Sequence, residues 1–248
     1  MSEEPTREES AKYWEKTVFD VVENDRPIET SRFVDSPIEE LIKHIEGINA
    51  VREKCYDWSD KMLLNVVSFW KGKSVLDFGC GTGCESYWLS KHKPKSITLA
   101  DIVPTNIQFA SRVMSYACQA HSTVLWSSIE DLKNKLTKDT KYDGKYDIIY
   151  SPGVIHHIPD AKEVVKVLEE FLKDDGMFIL MLYCGSLRKL YSRLDIDEKV
   201  SHEAEGPYAM SYDRKDVVEL FGEGYKIVME VPFNNGMFCL WMLEKVKK

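Results

Sequence analysis

The sequence of 248 residues predicts an α/β fold, a mostly parallel sheet with helices on both faces and a helical extension at the N-terminus. Three observations carry this. Five short apolar runs, at residues 74–78, 96–100, 122–126, 146–150 and 177–183, alternate with helical stretches. Such alternation marks βαβ units, whose crossovers cover both faces of a parallel sheet. The first run ends in a turn with glycine at alternate positions, Gly79, Gly81 and Gly83. Two last runs, 225–231 and 237–243, are joined by Pro232-Phe-Asn-Asn-Gly236, a hairpin-like link that suggests an antiparallel pair at the sheet edge.

Taken in order, residues 1–10 read as a polar tail, and residues 11–70 as mainly helical. Ser36-Pro37-Ile38-Glu39 is a capping box with proline at the first helical position. Behind it Ile38, Leu41, Ile42, Ile45 and Ile48 recur at the spacing of one helix face. Met62, Leu63, Val66, Val67 and Phe69 mark another helix. Among the later helices, one opens at Pro104 and buries Ile107, Ala110, Val113, Met114 and Ala117. Another opens at Asp160, with Glu163 completing a capping box and Lys173-Asp-Asp-Gly176 as its stop. Residues 185–206 are charged and helical in character. The expected organisation is a tail and helical cap over 1–70, then a main domain over 71–248 with a lid-like insertion near 185–212.

Composition narrows the function. Lys and Arg number 33 against 41 Asp and Glu, a formal net charge of -8. That average repels a phosphate backbone, so a nucleic-acid partner is disfavoured. The six cysteines, Cys55, Cys80, Cys84, Cys118, Cys184 and Cys239, form no Cys-x-x-Cys pair and no zinc-spaced cluster with histidine, so no metal is expected. No apolar leader and no membrane-length apolar run occurs, which predicts a cytoplasmic protein without a membrane partner. Nothing in the pattern specifies an oligomeric state.

In an open α/β sheet, ligands bind beyond the carboxyl ends of the strands. The residues just after each strand are therefore the candidates. After the first comes Asp77-Phe78-Gly79-Cys80-Gly81-Thr82-Gly83. A dinucleotide loop needs Gly-x-Gly-x-x-Gly, but Cys84 holds the place of its third glycine, and no Gly-Lys-Ser/Thr of a phosphate loop follows. Asp101 ends the second strand, 18 residues after Gly83, where a carboxylate can accept from both hydroxyls of a ribose or cap the next helix. Trp126-Ser127-Ser128-Ile129 follows the third strand, and Ser151-Pro152-Gly153-Val154-Ile155-His156-His157 the fourth.

Together, in this order and spacing, these four segments resemble the successive motifs of class I S-adenosylmethionine-dependent methyltransferases, over roughly residues 73–183. The last segment is similar to small-molecule methyltransferases such as those of quinone biosynthesis and natural products. The resemblance implies a Rossmann-like sheet of seven strands whose last strand is antiparallel, and S-adenosyl-L-methionine as cofactor. It implies that Asp77, Gly79, Cys80 and Gly81 border the methionine part of the cofactor, that Asp101 holds the ribose and that Ile102 packs on the adenine. Ser128 and Ile129 would lie at the adenine edge, and Ser151 beneath the sulfonium. Ser128 stands where many relatives carry an acidic residue, and Pro152 where a small or polar one is usual.

Methyl transfer from a sulfonium is an in-line displacement, so orientation and exclusion of water are the main effects available. His156 and His157 would flank the methyl group. Either acts as base or orients the acceptor, or both brace the loop. The acceptor would be lined by the least regular parts of the chain, with Tyr13, Arg32, Tyr183, Tyr208 and Tyr212 as candidates. No aromatic tetrapeptide of the kind that methylates DNA amines stands at Ser151-Pro152-Gly153-Val154. The expected reaction is therefore methylation of a small-molecule acceptor. An RNA or protein methyltransferase, or a non-catalytic cofactor-binding partner subunit, are the alternatives.

Overall fold

The computed structural model describes residues 5–16, 18–23, 26–28, 30–55, 64–117, 120–139, 145–184, 200–201, 208–233, 236 and 238–246. The N-terminal part holds α1 (Arg7–Lys16), β1 (Val18–Glu23), β2 (Arg26–Ile28), a 3-10 turn over Thr30–Phe33, α2 (Ile38–Cys55) and α3 (Leu64–Trp70). The main domain begins with β3 (Ser74–Phe78), α4 (Cys84–Ser90), β4 (Ser96–Asp101), α5 (Pro104–Ala117), β5 (His121–Leu125) and α6 (Ile129–Lys138). It continues with β6 (Tyr146–Pro152), a 3-10 turn over Ile155–His157, α7 (Ala161–Glu170) and β7 (Leu172–Tyr183). The short β8 (Val200–Ser201) and β9 (Ala209–Met210) precede α8 (Arg214–Phe221), β10 (Tyr225–Phe233) and β11 (Phe238–Lys245).

Seven strands form one sheet in the order β10-β11-β7-β6-β3-β4-β5. From β7 through β5 the neighbours are parallel, while β11 runs antiparallel to both β7 and β10. This is the expected Rossmann-like α/β sheet with an antiparallel last strand. Every residue of β3 and β4 is buried, because helices cover both faces, so that Ser74, Asp77, Ser96 and Thr98 lie inside with the apolar residues. One core packs Leu76, Phe78, Ile149, Leu180 and Trp241 against α7 and α8; the other packs Val75, Leu99, Ile148, Ile179 and Met242 under α3 and α5. A third joins Leu41 and Ile45 of α2 to Tyr87 and Phe109, so the predicted apolar face of α2 is the one buried.

Five local expectations are corrected. The tail is helical from Arg7, and the helical reading of 11–70 is interrupted by the antiparallel hairpin β1–β2. α2 begins at Ile38, and Pro37 precedes it, accepting from the amides of Glu40 and Leu41 through its carbonyl. Asp160 precedes α7 without a side-chain cap, because its carboxylate takes the guanidinium of Arg7 instead. Lys173–Gly176 lies inside β7 rather than ending a helix, since the strand starts at Leu172. The proposed lid over 185–212 lies largely outside the described residues; within it, Val200–Ser201 pairs with Ala209–Met210 as a two-stranded ribbon. Among the described residues no helix is long and apolar enough to cross a membrane.

Candidate active site

Parallel strands bring the ends of β3, β4, β5 and β6 to one edge, so the four sequence segments converge there. The loop after β3 is held by the amides of Gly79 and Cys80, both donating to the Ala100 carbonyl at 2.7 and 3.1 Å. Gly79, Gly81 and Gly83 have φ of 77°, 53° and 74°, a region that side-chain-bearing residues rarely occupy. Gly79 is required for a second reason: a Cβ there would lie 2.3 Å from Cγ2 of Val154, in the loop after β6. The absent side chain thus admits a protein neighbour as well as freeing backbone for a ligand. Asp77 is buried at the end of β3, and Ser86 of α4 donates its hydroxyl to Asp77 Oδ2 at 2.6 Å. Cys80 is buried, and burial, together with the Asp101 and Asp77 carboxylates, pushes its thiol well above the ordinary range. It therefore serves as a small apolar wall, not as a nucleophile. Beside it the hydroxyl of Thr82 is buried with no hydrogen-bond partner among the described residues.

Asp101 is the charged centre of this edge. Its Oδ2 accepts from the Gly81 amide at 2.9 Å, and its Oδ1 from the Val103 amide at 2.8 Å and from Asn106 Nδ2 at 3.5 Å. Burial raises its pKa, and four donors, the Val103, Gly81 and Ile102 amides and the Asn106 side chain, work against that by stabilising the ionised form. Ile102 is half-buried next to it. Trp126, after β5, stacks on Phe78 at 5.4 Å, and the guanidinium of Arg7 lies 5.0 Å above its ring. Ser128 is exposed and caps α6, accepting from the Asp131 amide at 3.0 Å, while Ile129 packs half-buried on the core. The Ser128 hydroxyl is thus engaged by the helix. Ser151 is buried in β6 and donates to the Phe78 carbonyl at 2.9 Å, tying β6 to the glycine loop.

The fourth segment forms a different kind of wall. His156 is fully buried, stacks on Tyr183 at 3.8 Å, and both its ring nitrogens lack a hydrogen-bond partner among the described residues. Burial, then the neighbouring His157, holds its pKa well below the ordinary histidine value. His157 lies 2.6 Å from the Tyr208 carbonyl through Nδ1. A carbonyl only accepts, so Nδ1 carries the proton and Nε2 is the free base of this tautomer. Burial pushes the pKa of His157 down to about 4, against the Tyr208 hydrogen bond, which raises it. Both imidazoles are therefore neutral near pH 7. Trp14 of α1 meets His157 edge-on at 4.8 Å and Tyr13 at 5.2 Å.

The structure thus brings together Tyr13, His156, His157, Tyr183 and Tyr208, with Tyr212 joined through its amide to the Tyr183 carbonyl at 2.9 Å. Burial raises the phenol of Tyr212. Arg32 is exposed on the 30–33 turn, and no contact described joins it to this group. Four participants escape a sequence reading: Arg7, Thr30, Asn106 and Val154. Arg7 reaches Asp160 across 153 positions, which no local pattern signals. Asn106, in the first turn of the helix after Asp101, is the one that local spacing could have suggested.

Comparison with known proteins agrees with this geometry. A family described as a methyltransferase domain matches residues 49–220, more than half of the chain. Phosphoethanolamine N-methyltransferase 3 of Arabidopsis thaliana is 27% identical over 126 residues, covering 51% of this chain and 24% of that protein. Ubiquinone biosynthesis O-methyltransferase of Coxiella burnetii is 31% identical over 112 residues, 43% of this chain and 42% of that protein. The chain thus spans less than half the length of these curated relatives. Magnesium protoporphyrin IX methyltransferase of Synechocystis PCC 6803, solved with bound SAH, superposes with a TM-score of 0.56 at 16% identity, over 96% of this chain and 98% of that one. With the family match over the glycine loop, Asp101 and the His156–His157 turn, the chain belongs to the methyltransferase-domain family and has the Rossmann-like fold of S-adenosylmethionine-dependent methyltransferases.

Proposed function

We propose that this chain moves the methyl group of S-adenosyl-L-methionine to a small-molecule acceptor at the edge formed by β3, β4 and β6. The observation that carries the proposal is Asp101: a buried carboxylate at the end of β4, bonded to the Gly81 amide of the glycine loop. The cofactor fits this edge, since a ribose offers the hydroxyls such a carboxylate needs, and the unpartnered Thr82 hydroxyl lies in the same loop. When bound, the cofactor supplies a methyl group on a positively charged sulfur.

The remaining roles belong to the chain. Asp101 holds the ribose, Ile102 packs on the adenine, and Ser128 with Ile129 bounds its edge. Asp77, Gly79, Cys80 and Gly81 border the methionine part, with Ser151 below the sulfur. Alignment of acceptor and sulfur is the main catalytic effect, worth on the order of 7–11 kcal/mol in well-oriented reactions. His156, neutral, buried and without a partner at either ring nitrogen among the described residues, orients the acceptor by hydrogen bonding; burial, which disfavours its protonated form, argues against full proton transfer to it. His157 is already committed to Tyr208 and serves to hold the loop. The aromatic walls of Tyr183 and Trp14 suit a planar or amine-bearing small acceptor. The names of the phosphoethanolamine and ubiquinone-pathway relatives accord with small acceptors.

The test is transfer of labelled methyl from S-adenosyl-L-methionine in cell extract, followed by separation of products by size. Label in a low-molecular-mass product is expected. Label confined to RNA or protein would overturn the small-molecule reading.

A further inference from the structure

A directed chain of hydrogen bonds links the N-terminal segment to Asp101. Thr30, on the 30–33 turn, is fully buried. Its hydroxyl is 2.9 Å from that of Thr105 and donates to Asn106 Oδ1 at 3.0 Å. Its single proton goes to Asn106, so Thr105 must be the donor to Thr30. With Oδ1 committed to Thr30, the other end of the Asn106 amide presents Nδ2 to Asp101 Oδ1, at 3.5 Å. Reversing the amide would set its oxygen against the carboxylate, a pairing of two acceptors. The Asp101 carboxylate therefore fixes which end of Asn106 faces it, and Thr30 braces the other end by donating to Oδ1. The turn carrying Thr30 is itself pinned to α5, where Arg112 donates to the carbonyls of Phe33 at 3.1 Å, Val34 at 2.6 Å, and Ser36.

We propose that Asn106 and Thr30 are positioning residues for the ribose carboxylate, so that docking of the N-terminal turn and recognition of the cofactor's ribose hydroxyls are coupled. This rests on the reading of Asp101 as the ribose ligand. Asp101 is buried, and a buried carboxylate keeps both its charge and its direction only through the donors around it. Three of those donors, at Gly81, Val103 and Ile102, are backbone amides that no side-chain change removes. The fourth is the Asn106 amide, and it depends on Thr30, a residue outside the sheet and its following helix.

The test compares binding of S-adenosylhomocysteine with that of its 2′,3′-dideoxyribose analogue, by calorimetry on the full chain. The wild-type chain should prefer the intact ribose strongly. Asn106→Leu should weaken the intact ligand by about tenfold, as loss of one hydrogen bond to a charged group predicts, and shrink the preference by a similar factor. Thr30→Val should lose part of the preference in the same direction, and Thr30→Ser should restore it. A merely structural role would lower the melting temperature and weaken both ligands alike. Asn106→Leu that folds with an unchanged preference overturns the proposal. If that variant fails to fold, equal preference in Thr30→Val and Thr30→Ser overturns it instead. Asp101→Ala with an unchanged preference removes the ribose reading itself, whereas its loss in Asp101→Ala alone removes only the relay.

Discussion

Two walls meet at one sheet edge, and they are built on different principles. The donor wall, after β3 and β4, is made of backbone and one carboxylate: positive-φ glycines, amides on Ala100, and Asp101 bonded to Gly81 and Val103. The acceptor wall, after β6, is made of neutral rings, with His156, His157 and Tyr183 packed on one another and on Trp14. Backbone geometry and a fixed charge suit a ligand that is always the same. Side chains drawn from α1, the His156–His157 turn and residue Tyr208, closing on Tyr183 at the end of β7, can vary with little change to the sheet, which suits an acceptor that defines the individual enzyme. Under the proposed function, this contrast makes cofactor recognition a property of the fold, and acceptor recognition a property of what packs onto it.

The largest effect that would break this contrast lies where the walls touch. Gly79→Ala places a Cβ 2.3 Å from Val154 at a φ of 77°. It should cost roughly 4 kcal/mol in chemical denaturation, the sum of left-handed strain and overpacking. Adding Val154→Ala should recover the overpacking part but not the strain. Full recovery would mean that glycine is needed only for the neighbour.

The next effect belongs to the acceptor wall alone. The pKa of His157 is depressed to about 4 in the folded chain, so below the unfolded value near 6.5 the unfolded chain binds the extra proton first. Its contribution to stability is present above that value and is lost as pH falls from about 6.5 toward 4, on the order of 3 kcal/mol for this group. His156 shifts in the same direction and steepens the loss. His157→Gln should flatten the pH dependence of the melting temperature across this window, and an unaltered slope would contradict the buried neutral pair.

Smaller effects separate bracing from binding. Ser151→Ala removes the bond to the Phe78 carbonyl and should cost about 1–2 kcal/mol of stability. Arg7→Ala breaks a partly exposed ion pair with Asp160 and a cation–π contact with Trp126. Its cost should stay below about 1 kcal/mol and shrink with salt, read from melting curves at two ionic strengths.

Legibility in the sequence follows the same divide. The donor wall could be read because its determinants are local: glycine spacing after a buried strand, and an acid at the end of the next. The acceptor wall showed its histidines and aromatics but not their arrangement, because Trp14 reaches His157 from the far end of the chain. Asp160 carried a helix-cap pattern with Glu163, yet its carboxylate went to Arg7, a competitor invisible to local spacing. Residues 18–28 were absorbed into a helical reading, although Val18, Val21 and Val22 favour a strand and Asn24-Asp25 a turn. Lys173–Gly176 looked like a helix stop, since polar residues and glycine mark ends; here they open β7 along its exposed start.

Under the proposed function, Asp101 and the glycine loop bind S-adenosyl-L-methionine. Calorimetric titration of the full chain with S-adenosylhomocysteine tests it most directly. Binding in the micromolar range is expected, weakened about tenfold or more in Asp101→Ala, where a ribose hydroxyl loses its bond to a charged group. No binding to the intact chain, or equal binding to Asp101→Ala, would contradict it.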